Sequence, residues 1–176
     1  MRQLLLICAV LVVLAVPAAA ARASGHGKAG YLVVQSAVSD GGVRGRPVVT
    51  LVMRGGFVIG RASQEAKVEV YHLGSASQLT VQVKGDVSSA PAQWKTRHAT
   101  LHGKKYTGSN FRFRITGGLY RVVVRGAGLY VFAGGRGTVN LQGSLANPRT
   151  DGRYSVDAGP WRSMPTKLVT RVIGRR

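Results

Sequence analysis

The sequence predicts an all-β protein: a single antiparallel β-sandwich or barrel-like domain of short, glycine-turned strands, lying behind a signal peptide. Three observations carry that expectation. Apolar residues recur with period two rather than 3.6. Glycine punctuates the chain, 24 times in 176 residues. Turn chemistry separates most of the alternating stretches, so no parallel crossover unit is needed.

The first 23 residues have the order of a secretory signal. Arg2 is the positive start, residues 4–16 carry no charge, and Pro17 with Ala18, Ala19, Ala20 and Ala21 offers small residues to a peptidase. The apolar run is shorter than the roughly 20 residues of a spanning helix. It is read as cleaved after Ala20, Ala21 or Ala23, which makes the protein secreted or resident in the cell envelope; the alternative is an uncleaved segment that anchors it in the membrane. Cys8 lies inside the run behind Leu5, Leu6 and Ile7, not in the setting of a lipidated cysteine. Residues 24–30 form a flexible lead, and residues 31–176 form one domain.

Within that domain, alternation places strands at 31–38, 47–53, 57–61, 66–73, 78–84, 94–101, 110–116, 119–125, 129–133, 138–141, 153–156 and 168–173. Between them stand turn residues: Asp40, Gly41 and Gly42; Gly55 and Gly56; Gly74 and Ser75; Gly117 and Gly118; Gly126 and Gly128; Asn147 and Pro148; Asp151 and Gly152. Many short strands with such turns indicate a sandwich or barrel. A faint echo links 49–60 with 122–134, each a valine-rich strand, an arginine, a glycine turn and an aromatic strand, but no fixed repeat period recurs.

Composition narrows the function. Removal of residues 1–23 takes away the one cysteine, so disulfides, thiol nucleophiles and thiolate metal sites are excluded. Stability must come from a core, which about 153 residues suffice to build, burying roughly 70% of the unfolded surface. The chain carries +19, and without Arg2 and Arg22 it retains 23 basic residues against six acidic ones. Such a field attracts anionic partners: envelope polymers, lipid headgroups at a membrane surface, or nucleic acid through non-specific charge. A bland source is also open, since arginines outnumber lysines 18 to 7, as codon bias alone produces.

The stretch 110–133 allows a register to be worked out. A two-residue hairpin turn at Gly117 and Gly118 sets Thr116 opposite Leu119, Arg114 opposite Arg121 and Phe113 opposite Val122. Phe111, Phe113, Ile115, Tyr120, Val122 and Val124 then share the core face, and Arg112, Arg114, Arg121 and Arg125 share the outer one with Val123. A loop at 126–128 continues the meander and places Tyr130 and Phe132 on the core side. The four arginines form the candidate anion-binding site, because guanidinium planes grip phosphate and carboxylate in bidentate geometry. The competing reading is a solvated face whose long stems cover Val123. No aromatic residue interleaves with these arginines, unlike the surfaces that bind single-stranded nucleic acid. A second basic cluster, Lys95, Arg97, Lys104 and Lys105, lies around an expected loop.

Catalytic constellations are sparse. His98 and His102, four apart on a strand, stand about 13 Å from each other and cannot share a metal. Glu65 and Glu69 are as badly spaced for glycoside hydrolysis, and Glu69 serves Lys67 or a nearby arginine. There is no nucleophile elbow, phosphate loop or dinucleotide fingerprint, so neither cofactor nor metal is expected. The preferred function is a non-catalytic exported β-domain that binds an anionic polymer, lipid headgroups or a protein partner through its arginine face. The alternative is an extracellular hydrolase whose site gathers Asp151, Asp157 and a histidine from separate strands.

Overall fold

The computed structural model describes residues 28–37, 47–74, 78–143 and 151–174. The signal segment, residues 24–27 of the lead and the turns at 40–42 and 147–148 lie outside the described residues. Those described build antiparallel strands and no helix: β1 (Gly30–Gln35), β2 (Val48–Arg54), β3 (Phe57–Ala62), β4 (Ala66–His72), β5 (Leu79–Lys95), β6 (Thr100–Gly117), β7 (Leu119–Gly126), β8 (Leu129–Gly135), β9 (Gly137–Gln142), β10 (Arg153–Val156), β11 (Arg162–Ser163) and β12 (Val169–Ile173).

All twelve join one sheet, curled into a half-barrel. It has two wings. The first runs β11-β10-β1-β8-β3 and ends on the C-terminal half of β6; the second runs β12-β9-β2-β7-β4 and ends on the N-terminal half of the same strand. β5 pairs with β6 along both halves, so the long β5–β6 ribbon belongs to both wings. It bends where the register slips between Lys84 and Asp86, opposite Asn110, whose φ is 51°. A bulge of that kind increases local twist and lets one ribbon turn a corner.

The inner faces of the two wings close on a single core. Leu32, Val34, Val58, Val131 and Phe111 come from the first wing, and Val49, Leu51, Val68, Val122 and Val139 from the second. Each such side chain contributes about 1.5–3 kcal/mol. The alternation expected for 111–115 and 120–124 is what the structure has: the apolar residues face the core, with Arg112, Arg114 and Arg125 exposed and Arg121 half-buried.

The pairing expected there is not. β6 and β7 are not hydrogen-bonded to each other; Arg114 stands opposite Ile59 and Gln82, and Arg121 opposite Val52 and Tyr71. The glycine pair at 117–118 is an arch that carries the chain from one wing to the other. Its backbone groups bond to the arch at 55–56 instead of closing a hairpin: Gly55 N–H donates to Gly118 O at 2.7 Å, and Gly117 N–H to Gly56 O at 3.4 Å. The two segments that echo each other, β2–β3 and β7–β8, both cross in this way, and they pair β2 with β7 and β3 with β8.

Two more expectations fail. Crossing at 126–128 resets the parity of the next strand, so Leu129, Val131 and Ala133 turn inward while Tyr130 and Phe132 lie on the outer face. The strand expected at 94–101 is the tip of the β5–β6 hairpin. Thr96 closes that turn, its N–H donating to Ala99 O at 2.8 Å and its Oγ1 accepting from Ala99 N–H at 2.9 Å. Without glycine or proline, the turn looks like alternation.

Candidate functional site

The four arginines do not form one platform. Arg112 and Arg114 lie on the outer face of the first wing, Arg121 and Arg125 on that of the second. Arg121 is occupied: its guanidinium carbon sits 4.0 Å from the centre of the Trp94 ring and 5.6 Å from that of Tyr71. Burial lowers its pKa, although Tyr71 and Glu69 pull the other way. Tyr71 donates its hydroxyl to Glu69 Oε2 at 3.0 Å, and Lys67 Nζ lies 2.6 Å from Glu69 Oε1. Burial works to raise the Glu69 pKa, but these two partners outweigh it and hold the carboxyl below its ordinary value. The region is a cross-linked patch, and Val123 at its centre is 1% exposed. The second basic cluster separates as well: Arg97 is at the hairpin tip, Lys104 on the inner side of β6 with Val70, and Lys105 on the outer side with Glu69.

On the first wing the pleat aligns different neighbours. One cross-strand row reads Arg153, Gln35, Tyr130, Arg61, Arg112, Lys84; the next reads Val33, Phe132, Ile59, Arg114, Gln82; a third reads Tyr31, Gly134, Phe57, Thr116, Thr80. No acid stands in these rows. At about 4.8 Å per strand, the first row spans about 24 Å. Aromatic rings lie among the cations. Tyr31 stacks on Phe132 with centroids 6.0 Å apart, Phe57 tilts against Phe132 at 5.4 Å, and Arg61 lies 5.8 Å above Tyr130. At the edge, Arg153 lies 4.7 Å over Trp161 and donates from Nε to Gln35 Oε1 at 3.0 Å. Gly134 makes room for this packing, since a Cβ there would stand 2.7 Å from the Phe57 ring.

This surface interleaves aromatics with arginines, contrary to the expectation from sequence. The missing residues, Tyr31, Phe57, Arg61, Tyr130 and Phe132, come from three strands far apart in the chain. Alternation within β3 alone does place Phe57, Ile59 and Arg61 on one face. The face also holds a like-charge pair, Arg61 directly opposite Arg112, an arrangement that destabilises a sheet mildly. Tyr31 is 50% exposed and Ile59 38%, so large apolar surface stays open beside the charges.

The acids suggested for hydrolysis have structural duties. Asp157 Oδ1 accepts from Tyr31 N–H at 2.9 Å and Gly174 N–H at 3.4 Å, tying β1 to the end of β12. Asp151 is buried beside the start of β10. Compared with family models, with curated proteins and with solved structures, the chain finds no match.

Proposed function

We propose that this protein is an exported, non-catalytic binding domain that holds an acidic glycopolymer of the cell envelope on the outer face of its first wing. The observation that carries the reading is the alternation of aromatic rings with guanidinium groups in cross-strand rows that hold no acid, including an Arg61–Arg112 pair that costs stability. Guanidinium forks take carboxylate or phosphate groups in pairs. Rings between them offer flat apolar area to the faces of sugar rings, in the way that such platforms stack bases. An open sheet face about 24 Å wide suits an extended chain of repeating units better than a small molecule. The secretory order of the first 23 residues favours an envelope polymer over nucleic acid.

Isothermal titration of the purified chain against polygalacturonate, neutral dextran, oligothymidylate and anionic lipid vesicles tests the reading. Polygalacturonate should bind and dextran should not, with affinity falling steeply between about 50 and 300 mM salt as the charges are screened. Joint Arg61→Gln and Arg112→Gln substitution should weaken binding by about tenfold, each exposed charge contact being worth about 0.2–1 kcal/mol. The Arg121→Gln change should leave affinity within about twofold. Unchanged binding by the double variant would remove the platform, and a clear preference for oligothymidylate or vesicles would replace the glycopolymer.

A further inference from the structure

The concave side of the bent ribbon holds a second, separate feature. A groove of about 390 Å³ opens there, lined by Val70 and His72 from β4, Leu79 and Val81 from the first half of β5, and His102, Gly103, Lys104 and Tyr106 from the first half of β6. Tyr71 pairs with Gly103, so one step further along the same antiparallel register sets His72 against His102. His102, which its spacing from His98 kept from sharing a metal, therefore lines the same groove as His72 of the neighbouring strand.

The lining contains an ammonium, two imidazoles and a phenol, but no acid. The Nδ1 of His72 is buried without a hydrogen-bond partner. On the neighbouring strand, Tyr120 is opposite His72 and its hydroxyl is also buried and unpartnered. Burial raises the pKa of both Tyr106 and Tyr120, which keeps the phenols neutral donors. Unpaired buried polar atoms cost roughly 1–3 kcal/mol each and call for an explanation. Two imidazoles in one groove invite a transition metal, but Lys104 repels a cation from the same groove. No third histidine, cysteine or carboxylate gathers with them among the described residues, and most transition-metal sites need one.

We propose that this groove binds a small amphiphilic carboxylate: the acid group on Lys104, His102 and His72, the short apolar body against Val70, Leu79 and Val81. Donors at one end and aliphatic walls at the other are the usual make-up of a small-ligand site. The groups facing the headgroup are His72 from β4, His102, Lys104 and Tyr106 from β6, and Tyr120 from β7 behind them; β5 contributes Leu79 and Val81, which do not titrate. The Lys104 ammonium attracts an ionised carboxylate, and the side chains around it can donate hydrogen bonds to its oxygens.

Octanoate is the probe, titrated into the full chain by two-dimensional NMR and calorimetry, with octanol and inorganic phosphate as companions. Octanoate should bind saturably and move the resonances of β4 and β6. Lys104→Met should weaken it at least fivefold and Lys104→Arg should recover most of the loss, while His102→Gln should weaken it by a smaller factor. These side chains lie outside the aromatic face, so polygalacturonate binding should survive all three changes. Octanol binding as tightly as octanoate would overturn the proposal, as would phosphate alone matching it. Zinc displacing the histidine resonances where octanoate has no effect would replace the anion with a metal.

Discussion

Arg61 and Arg121 each lie over an aromatic ring, and the difference between them decides where binding takes place. Arg121 sits 4.0 Å from Trp94 with Tyr71 beside it, in a half-buried patch. Its cation–π contact, worth about 0.5–2 kcal/mol, is spent on holding β5 to β7. Arg61 is exposed and only 5.8 Å from Tyr130, with its donor fork open to solvent. The inversion of β8 is testable at the same scale. Val131 is fully buried, so Val131→Ala should cost about 2 kcal/mol in urea unfolding through lost contact and the cavity left behind. Tyr130→Thr, on the outer face, should cost less than about 1 kcal/mol but weaken polymer binding several-fold. A Tyr130 variant that unfolds more readily than the Val131 variant would return the rings to the core. For β6 and β7 the inward residues were legible, because alternation inside a strand is local. For β8 they were not, because parity across an arch depends on where the chain goes next.

At the level of elements, glycine pairs mark chain reversals correctly but do not say which strands they join. A tight turn contributes on the order of 1 kcal/mol, while each strand that finds the right neighbours buries several side chains at about 1.5–3 kcal/mol each. β7 shows the outcome: Val122 meets Leu51 on one side and Val70 on the other, and Val124 meets Val49 and Val68. Those four partners come from β2 and β4, not from the adjacent β6. A type I′ hairpin needs positive φ at both central residues, whereas in this arch Gly117 has φ 112° and Gly118 lies outside the positive region. Gly117→Ala should therefore destabilise by about 1–3 kcal/mol, and Gly118→Ala by distinctly less. Equal losses, measured by urea denaturation, would favour the hairpin. The turn at 96–99 was missed for the opposite reason, since Thr96 supplies by a side-chain hydroxyl what glycine supplies elsewhere.

Over the whole molecule, nearly every ladder is long-range. β1 lies between β8 and β10, β2 between β7 and β9, and β3 between β6 and β8. Among the described residues, only β5–β6 and β10–β11 pair consecutive strands. Loop-closure entropy must be met before such contacts form, so refolding should take milliseconds to seconds, with amide protection arising first in the β5–β6 ribbon. Stopped-flow fluorescence and pulsed hydrogen exchange check this, and sub-millisecond folding would contradict the topology. The sequence by itself determined the strand period, the glycine turns at 55–56, 117–118 and 126–128, the charge excess and the scarcity of acids. Each of these is a property of composition or of residues two to four apart. Only the tertiary structure decided which strands pair, hence that Arg112 shares a face with Arg61 and Tyr130 instead of Arg121, and that His72 and His102 line one groove. Partner choice rests on burial summed over segments far apart in the chain, and no local pattern carries that sum.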